Sequence, residues 1–304
     1  MLVKMKFPIT LIPAGTQIDF IGKKSIAFVF SLVLTLIICV LFFVKGLNLG
    51  IDFTGGIIFE IKTSKEVELK DLRDLLSNAG YKGATLQNLG QADTILIRIQ
   101  PKDNAEQKQE VEEVKNLLVR HLDKQVEFRK VDYVGPKVGK DLIFKGFSAT
   151  VLSLICMMIY IWFRFNWQYG VGAILALAHD AFVTLGFYII SGEEFNLTSI
   201  AAILTVIGYS INDSVVIFDR IRENFRKYKL TDVVKLINLS LNETLSRTIM
   251  TVLTTLVVCI ALVIFGGEVI YGFSMAMLIG IAFGTYSSIY IAAPILLHTK
   301  ITKL

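Results

Sequence analysis

The sequence predicts an α-helical polytopic membrane protein of six transmembrane helices, with a small α+β domain between the first helix and the second. Three observations carry this. Hydrophobic residues make up 54% of the 304 and mean hydropathy is +0.61, well above the balance of a soluble domain. Apolar runs begin near Ser25, Leu142, Tyr169, Leu197, Arg247 and Tyr271, each about the twenty residues a hydrocarbon core requires. One long polar stretch, residues 46–141, interrupts them.

The order of elements follows. Residues 1–24 form a basic flank with Lys4, Lys6, Lys23 and Lys24, and residues 25–45 form the first span. That span ends in Phe-Phe-Val-Lys-Gly without a small-residue cleavage site, the pattern of a retained anchor. Spans follow at 142–163, 169–190, 197–218, 246–266 and 271–298, with a tail at 299–304.

The connections alternate in charge. Arg164, among Trp162, Trp167 and Tyr169, joins the second and third spans, and Glu193 and Glu194 follow the third. Arg220, Arg222, Arg226, Lys227, Lys229 and Lys235 lie in the 219–244 connection; Glu268 follows the fifth span, and Lys300 and Lys303 finish the chain. Positive charge retained on the inner side then puts both termini in the cytoplasm and exports residues 46–141. Residues 219–244 read as a basic amphipathic helix on the anionic inner face, with a cytosolic protein contact as the alternative.

Within 46–141, Ile57–Lys62 alternates as a strand and Glu68–Ala79 reads as a helix stopped by Gly80. Strands follow near Thr85–Leu89 and Thr94–Gln100, Pro101 ends the pairing, a helix runs from about Asn104 to His121, and a last strand covers Gln125–Tyr133. The order β-α-β-β-α-β predicts a split βαβ, ferredoxin-like sandwich. His121 is read as an exposed helix residue.

Chemistry concentrates inside the spans. Asp213 lies within Leu197–Phe218, where a carboxylate costs roughly 2.5–3.5 kcal/mol even on the lenient insertion scale. Thr205, Tyr209 and Asp213 repeat every fourth residue, flanked by Ser210 and Asn212, so they form one polar face. Asp213 falls roughly 8–9 Å from the inner boundary at 1.5 Å per residue. Arg247 enters the fifth span at similar depth, followed by Thr251, Thr254 and Thr255. The arginine is either a snorkelling anchor or the partner of Asp213 in an ion relay. Asp180 and the adjacent His179 sit mid-way along the third span, on a face with Gly172, Ala176 and Thr184; they are candidates for ion relay or for helix contact. Gly280, Gly284 and Ser288 form a packing seam on the sixth span.

Other classes drop out. Cys39, Cys156 and Cys259 all lie in apolar spans without metal-ligand spacing. Gly135–Gly139 lacks the spacing and ending of a phosphate loop. The net charge of +5 comes from basic residues beside membrane ends, which points to no nucleic-acid partner. With no nucleotide site, work has to come from an ion gradient or from a partner.

Five stretches together carry a resemblance: GLNLGIDFTGG at Gly46–Gly56, VGPKVGKDL at Val134–Leu142, YGVGAILALAHD at Tyr169–Asp180, IGYSINDSVVIFDRIREN at Ile207–Asn224 and LNETLSRTIMTVLTTL at Leu241–Leu256. With the glycine-rich sixth span, they make the chain resemble the SecF branch of the SecD/SecF protein-export family, in the resistance–nodulation–division (RND) superfamily. The resemblance implies a bacterial inner-membrane translocase subunit that is no enzyme and needs no cofactor beyond H⁺ or Na⁺ as coupling ion. It implies a SecD partner, the SecYEG channel, YajC, SecA and an unfolded preprotein, with relay residues at Asp213 and Arg247. Half of a small-molecule exporter and a non-transporting scaffold remain the alternatives.

Overall fold

The computed structural model describes residues 13, 15–64, 67–81, 84–88, 93–100, 107–122, 126–228 and 232–298. Lys4, Lys6, Leu89, Pro101, Asn104, Gln125, Lys229 and the 299–304 tail with Lys300 and Lys303 lie outside the described residues. Two units form: residues 49–148 with 194–197, and a helical unit made of the rest.

The first unit is built on a four-stranded sheet of β1 (Gly56–Lys62), β2 (Thr85–Asn88), β3 (Thr94–Ile99) and β4 (Glu127–Val134), in the order β2-β3-β1-β4 with every pairing antiparallel. That is the order a split βαβ produces. Ile57, Phe59 and Ile61 pair with Ile99, Ile97 and Ile95. All six point to one buried face, because strand side chains alternate. Helices α3 (Leu69–Asn78) and α4 (Gln107–His121), numbered in chain order, supply Leu72, Leu76, Val114 and Leu118 to the same core. Gly80, at φ +96°, ends α3: the Tyr81 amide donates to Leu76 O at 2.9 Å and the Gly80 amide to Ser77 O at 3.1 Å, a Schellman stop. His121 is exposed.

Residues 194–197, part of an acidic connection in the sequence, join this unit. Leu49 bridges Phe195, whose carbonyl accepts from the Gly50 amide at 2.8 Å. Glu194 pairs with Arg98, and Asp52 in the short helix α2 (Ile51–Thr54) accepts from the Leu197 amide at 3.0 Å.

The helical unit contains α1 (Lys24–Val44), α6 (Trp167–Ser191), α7 (Leu197–Lys227), α8 (Val233–Phe265), α9 (Glu268–Ser287) and α10 (Ala293–His298), while α5 (Pro136–Arg164) carries residues of both units. Among the described residues, six helices are long and apolar enough to span a bilayer, counting α9 to α10 as one run. The chain is therefore a multi-pass membrane protein. Helix α6 is the most enclosed, with Gly172, Ala176, Asp180 and Thr184 all buried on one face, so small residues let neighbours approach closely. At Gly172 a Cβ would sit 2.7 Å from the carbonyl oxygen of Ala292.

Residues 219–244 differ from the expected surface helix. Helix α7 continues to Lys227, Asp232 caps α8 by accepting from the Val234 and Lys235 amides, and the two extensions meet where Asn224 donates to Ser240 Oγ at 3.0 Å and Arg220 to Glu243 at 2.8 Å. Ile221, Leu236, Ile237 and Leu241 are buried, so the apolar side of this segment packs on the protein itself. Asn238 and Asn242 of α8 also hold the chain before α1. Asn238 Oδ1 accepts from the Phe20 and Ile21 amides at 3.0 Å each, and the Asn242 side chain exchanges bonds with Ile18 N and O at 2.8 and 2.9 Å.

Asp19 completes this clasp, accepting from the Gly22 amide at 2.8 Å and from Asn238 Nδ2 at 2.7 Å. Those two bonds hold its carboxyl below the ordinary value. Because the folded pKa is depressed, the clasp is complete above the ordinary carboxylate range and is lost as pH falls through the lowered value. Amide protection at residues 18–22, taken relative to the intrinsic exchange rate, is expected to fall on acidification below that range and to be independent of pH in Asp19→Asn.

A candidate ion-coupling site inside the helix bundle

Asp213 is 5% exposed on α7. Among the described residues it makes no hydrogen bond and no ion pair within 4.0 Å; Arg247 acts on it through space. Arg247 itself is exposed and lines a cavity of about 460 Å³ with Arg164, Val216, Asp219, Arg220, Glu223, Glu243 and Thr244. Val216 lies one turn beyond Asp213 on the same helix, so the cavity ends close to the acid. The other charges on its wall are paired: Arg220 bonds Glu243 at 2.8 Å and Glu223 at 2.6 Å, and Arg164 bonds Asp219 at 3.1 Å, while Asn224 behind them donates to Glu243 at 2.6 Å.

The threonine stripe meets α7 through Tyr209, whose hydroxyl donates to Thr251 O at 2.9 Å and lies 3.0 Å from Thr255 Oγ1. Thr251 Oγ1 donates back to Arg247 O at 3.1 Å. Thr254 is exposed and bonds only along its own helix, to Met250 O and Thr251 O, and Asn212 is exposed. Thus Tyr209, Thr251 and Thr255 gather beside Asp213 and Arg247, whereas Asn212 and Thr254 turn away.

Asp180 is fully buried and joins three helices. Its Oδ2 accepts from Ser210 Oγ of α7 at 2.5 Å and from Ser287 Oγ of α9 at 2.7 Å. Its Oδ1 lies 3.4 Å from His179 Nδ1, and the Asp180 carbonyl accepts from Thr184 Oγ1 at 2.7 Å. His179 Nε2 is buried without a partner, the ring lying beside Phe283 and Tyr286. Next to this centre, Ser214 Oγ and Ser288 Oγ are 2.8 Å apart. The glycines expected to form a seam do so: a Cβ at Gly284 would lie 3.1 Å from Ser210 Oγ, and one at Gly280 would lie 2.8 Å from Thr184 Oγ1.

Sequence reasoning did not single out Ser287 or Ser214 as partners, nor Glu243 and Asn224. Only the doubled serine in Thr-Tyr-Ser-Ser-Ile could have drawn attention, as a polar pair within an apolar run. Among the described residues, no group of three or more histidines, cysteines or acids could hold a metal ion.

Comparison with known proteins places these features in a family. The model for protein export membrane protein SecD/SecF, C-terminal, matches residues 114–302, and the SecD/SecF GG motif matches residues 40–67. The protein translocase subunits SecF of Rickettsia conorii and Rickettsia bellii are 45% and 46% identical over 290 residues, covering 95% of this chain and 94% and 96% of theirs. The crystal structure of SecDF from Thermus thermophilus superposes with a TM-score of 0.85 at 35% identity, over 97% of this chain. A SecDF structure in a super-membrane-facing form gives 0.68 at 34% identity over 96%. This chain spans 40% of each of those SecDF chains. With matches running almost end to end, the chain belongs to the SecD/SecF family of protein export membrane proteins.

Proposed function

We propose that this chain works as a SecF-type subunit of a Sec protein translocase, coupling an ion motive force to the late movement of an unfolded preprotein across the bacterial inner membrane. Kinship with SecF translocase subunits supports the subunit role. The observation that carries the coupling is Asp213: a buried carboxyl without a hydrogen bond among the described residues, under the charge of Arg247, one turn from a polar cavity.

Such an acid changes its interaction with a nearby arginine by a whole charge when it takes up a cation. An ion shifts a conformational equilibrium only by its differential affinity for the two states. The reading is that uptake at Asp213 weakens its coupling to Arg247, α7 and α8 repack, and the domain carrying β1–β4 alternates between holding and releasing the emerging chain. A SecD half supplies the remainder of the helix bundle, with the SecYEG channel, YajC and SecA as the wider assembly. Both termini face the cytoplasm and the sheet domain faces the periplasm, following the alternation of charge. The subunit is an accessory of transport and carries out no bond chemistry.

Sealed vesicles holding this chain with its SecD partner, given a proton or a sodium gradient in turn, test the reading. Translocation of an arrested preprotein is expected to resume with one of the two. Indifference to both gradients would leave the scaffold alternative.

A further inference from the structure

We infer that Asp180 is a positioning residue for Asp213, clamping the helix that carries it; this rests on the coupling role proposed for Asp213. Helix α7 is pinned on both sides of that acid. Ser210, one turn before it, is held by Asp180 and so linked to Ser287 of α9; Ser214, directly after it, meets Ser288. Asp213 itself is left unbonded among the described residues, between the two ties. A slip of one residue along α7 would move the acid by about 1.5 Å and turn it by about 100°.

The chemistry of the clamp favours positioning over simple cohesion. Asp180 is fully buried, as are Ser214 and Ser288, and Ser210 and Ser287 are 1% and 0% exposed. A buried carboxylate is an expensive way to join helices that apolar packing could join, and its best-attested use is to specify registry. Two hydroxyls from different helices converge on one carboxylate oxygen, so the carboxylate reads the position of α7 relative to α9.

The backbone is shaped for the same contact. Ser288–Ala292 is a π-turn, closed by the Ala293 amide donating to Ser288 O, and π-turns inside helices recur at functional sites. The turn begins at the residue after Ser287. Gly172 leaves the space that lets α6 approach the turn, and Gly284 leaves the space that Ser210 of α7 fills beside α9.

The titratable groups around the clamp are few. His179 lies beside Asp180 on α6, Tyr286 of α9 flanks His179, and Asp213 follows Ser210 on α7, while Arg247 reaches Asp213 from α8. Helix α1 carries no charged side chain between Lys24 and Lys45.

The test uses the full chain with its SecD partner in lipid vesicles. The carboxylic C=O band of Asp213 is followed by difference infrared spectroscopy against pH and assigned by its loss in Asp213→Asn. Asp180→Asn is expected to move the midpoint of that band by about one pH unit, a tenfold change in its proton equilibrium. Ser210→Ala with Ser287→Ala, which keep every charge, should move it in the same direction. An unmoved midpoint in both would overturn the inference.

Should Asp180→Asn fail to assemble, the serine pair decides alone. Should the native band never titrate, the coupling role of Asp213 is what fails. The clamp is then judged by amide exchange of residues 207–217, expected to rise about tenfold in the serine pair with α8 unchanged. Equal exchange would refute the clamp.

Discussion

Asp213→Asn is expected to abolish the gradient-driven part of translocation while leaving the amount of protein in the membrane and its assembly with SecD unchanged. Asparagine keeps the shape of the side chain and removes only its ability to change charge. Since Asp213 makes no hydrogen bond or ion pair within 4.0 Å among the described residues, no partner is orphaned by the change. An amide is also cheaper to bury than a carboxylate, so stability should hold or improve. One elementary charge crossing the field supplies about 2.3 kcal/mol per 100 mV, and about 1.4 kcal/mol is a factor of ten in an equilibrium. At about 100 mV a single lost charge therefore removes a bias of more than tenfold. The measurement is translocation against imposed gradient at matched membrane levels. Full gradient dependence in the variant would remove Asp213 from the relay.

Gly56→Val should unfold the sheet domain. Gly56 opens β1 at φ +141°, where side chains are rarely tolerated, and a Cβ there would lie 2.8 Å from the carbonyl oxygen of Ile99. Strained backbone of this kind costs about 1–3 kcal/mol, and forcing Ile99 away breaks the Ile57–Ile99 pairing at the end of β3, leaving buried polar groups that cost about 1–3 kcal/mol more. Together these come to about 2–6 kcal/mol, which reaches the lower end of the roughly 5–15 kcal/mol that holds a domain folded. Limited proteolysis of the full chain in detergent should show rapid cutting between residues 56 and 134 with the helical fragments intact. Gly135→Ala is the control: its Cβ would meet only Tyr133, at 3.7 and 3.8 Å. Equal protease resistance in Gly56→Val and the native chain would show that the close approach is relieved without loss of the sheet.

Several features were legible in the residues before any contact was known. Ile57, Phe59 and Ile61 alternate in the sequence and lie at zero exposure in the core, because a strand has only two faces to choose between. Asp213 drew attention because an acid in an apolar run is costly wherever the helix goes. The glycines of the sixth span were legible for a similar reason, since small residues at helical spacing mark close approach.

The partners of Asp180 were not legible. Ser210 lies 30 positions from it and Ser287 lies 107 away, and nothing in local composition says which helices are neighbours. The same limit hid the Glu194–Phe195 edge of the sheet domain, whose partners Arg98, Leu49 and Gly50 sit far away in sequence. In residues 219–244 the amphipathic pattern was clear, yet the pattern is identical whether the apolar face meets lipid or a neighbouring helix.

By itself the sequence determined that six helices are long and apolar enough to cross a membrane, that a β-α-β-β-α-β domain interrupts them, and that an acid lies within one apolar run and an arginine at the head of another. Each of these is written in one-dimensional hydropathy or periodicity, since solvent, lipid and the two faces of a strand act on every residue locally. The tertiary structure alone decided that Asp213 stands unbonded among the described residues between two pinned serines, that Asp180 joins three helices, and that Arg247 lines a charged cavity. Hydrogen bonds are short and directional, so their pairing depends on which helices pack together, at what rotation and at what height.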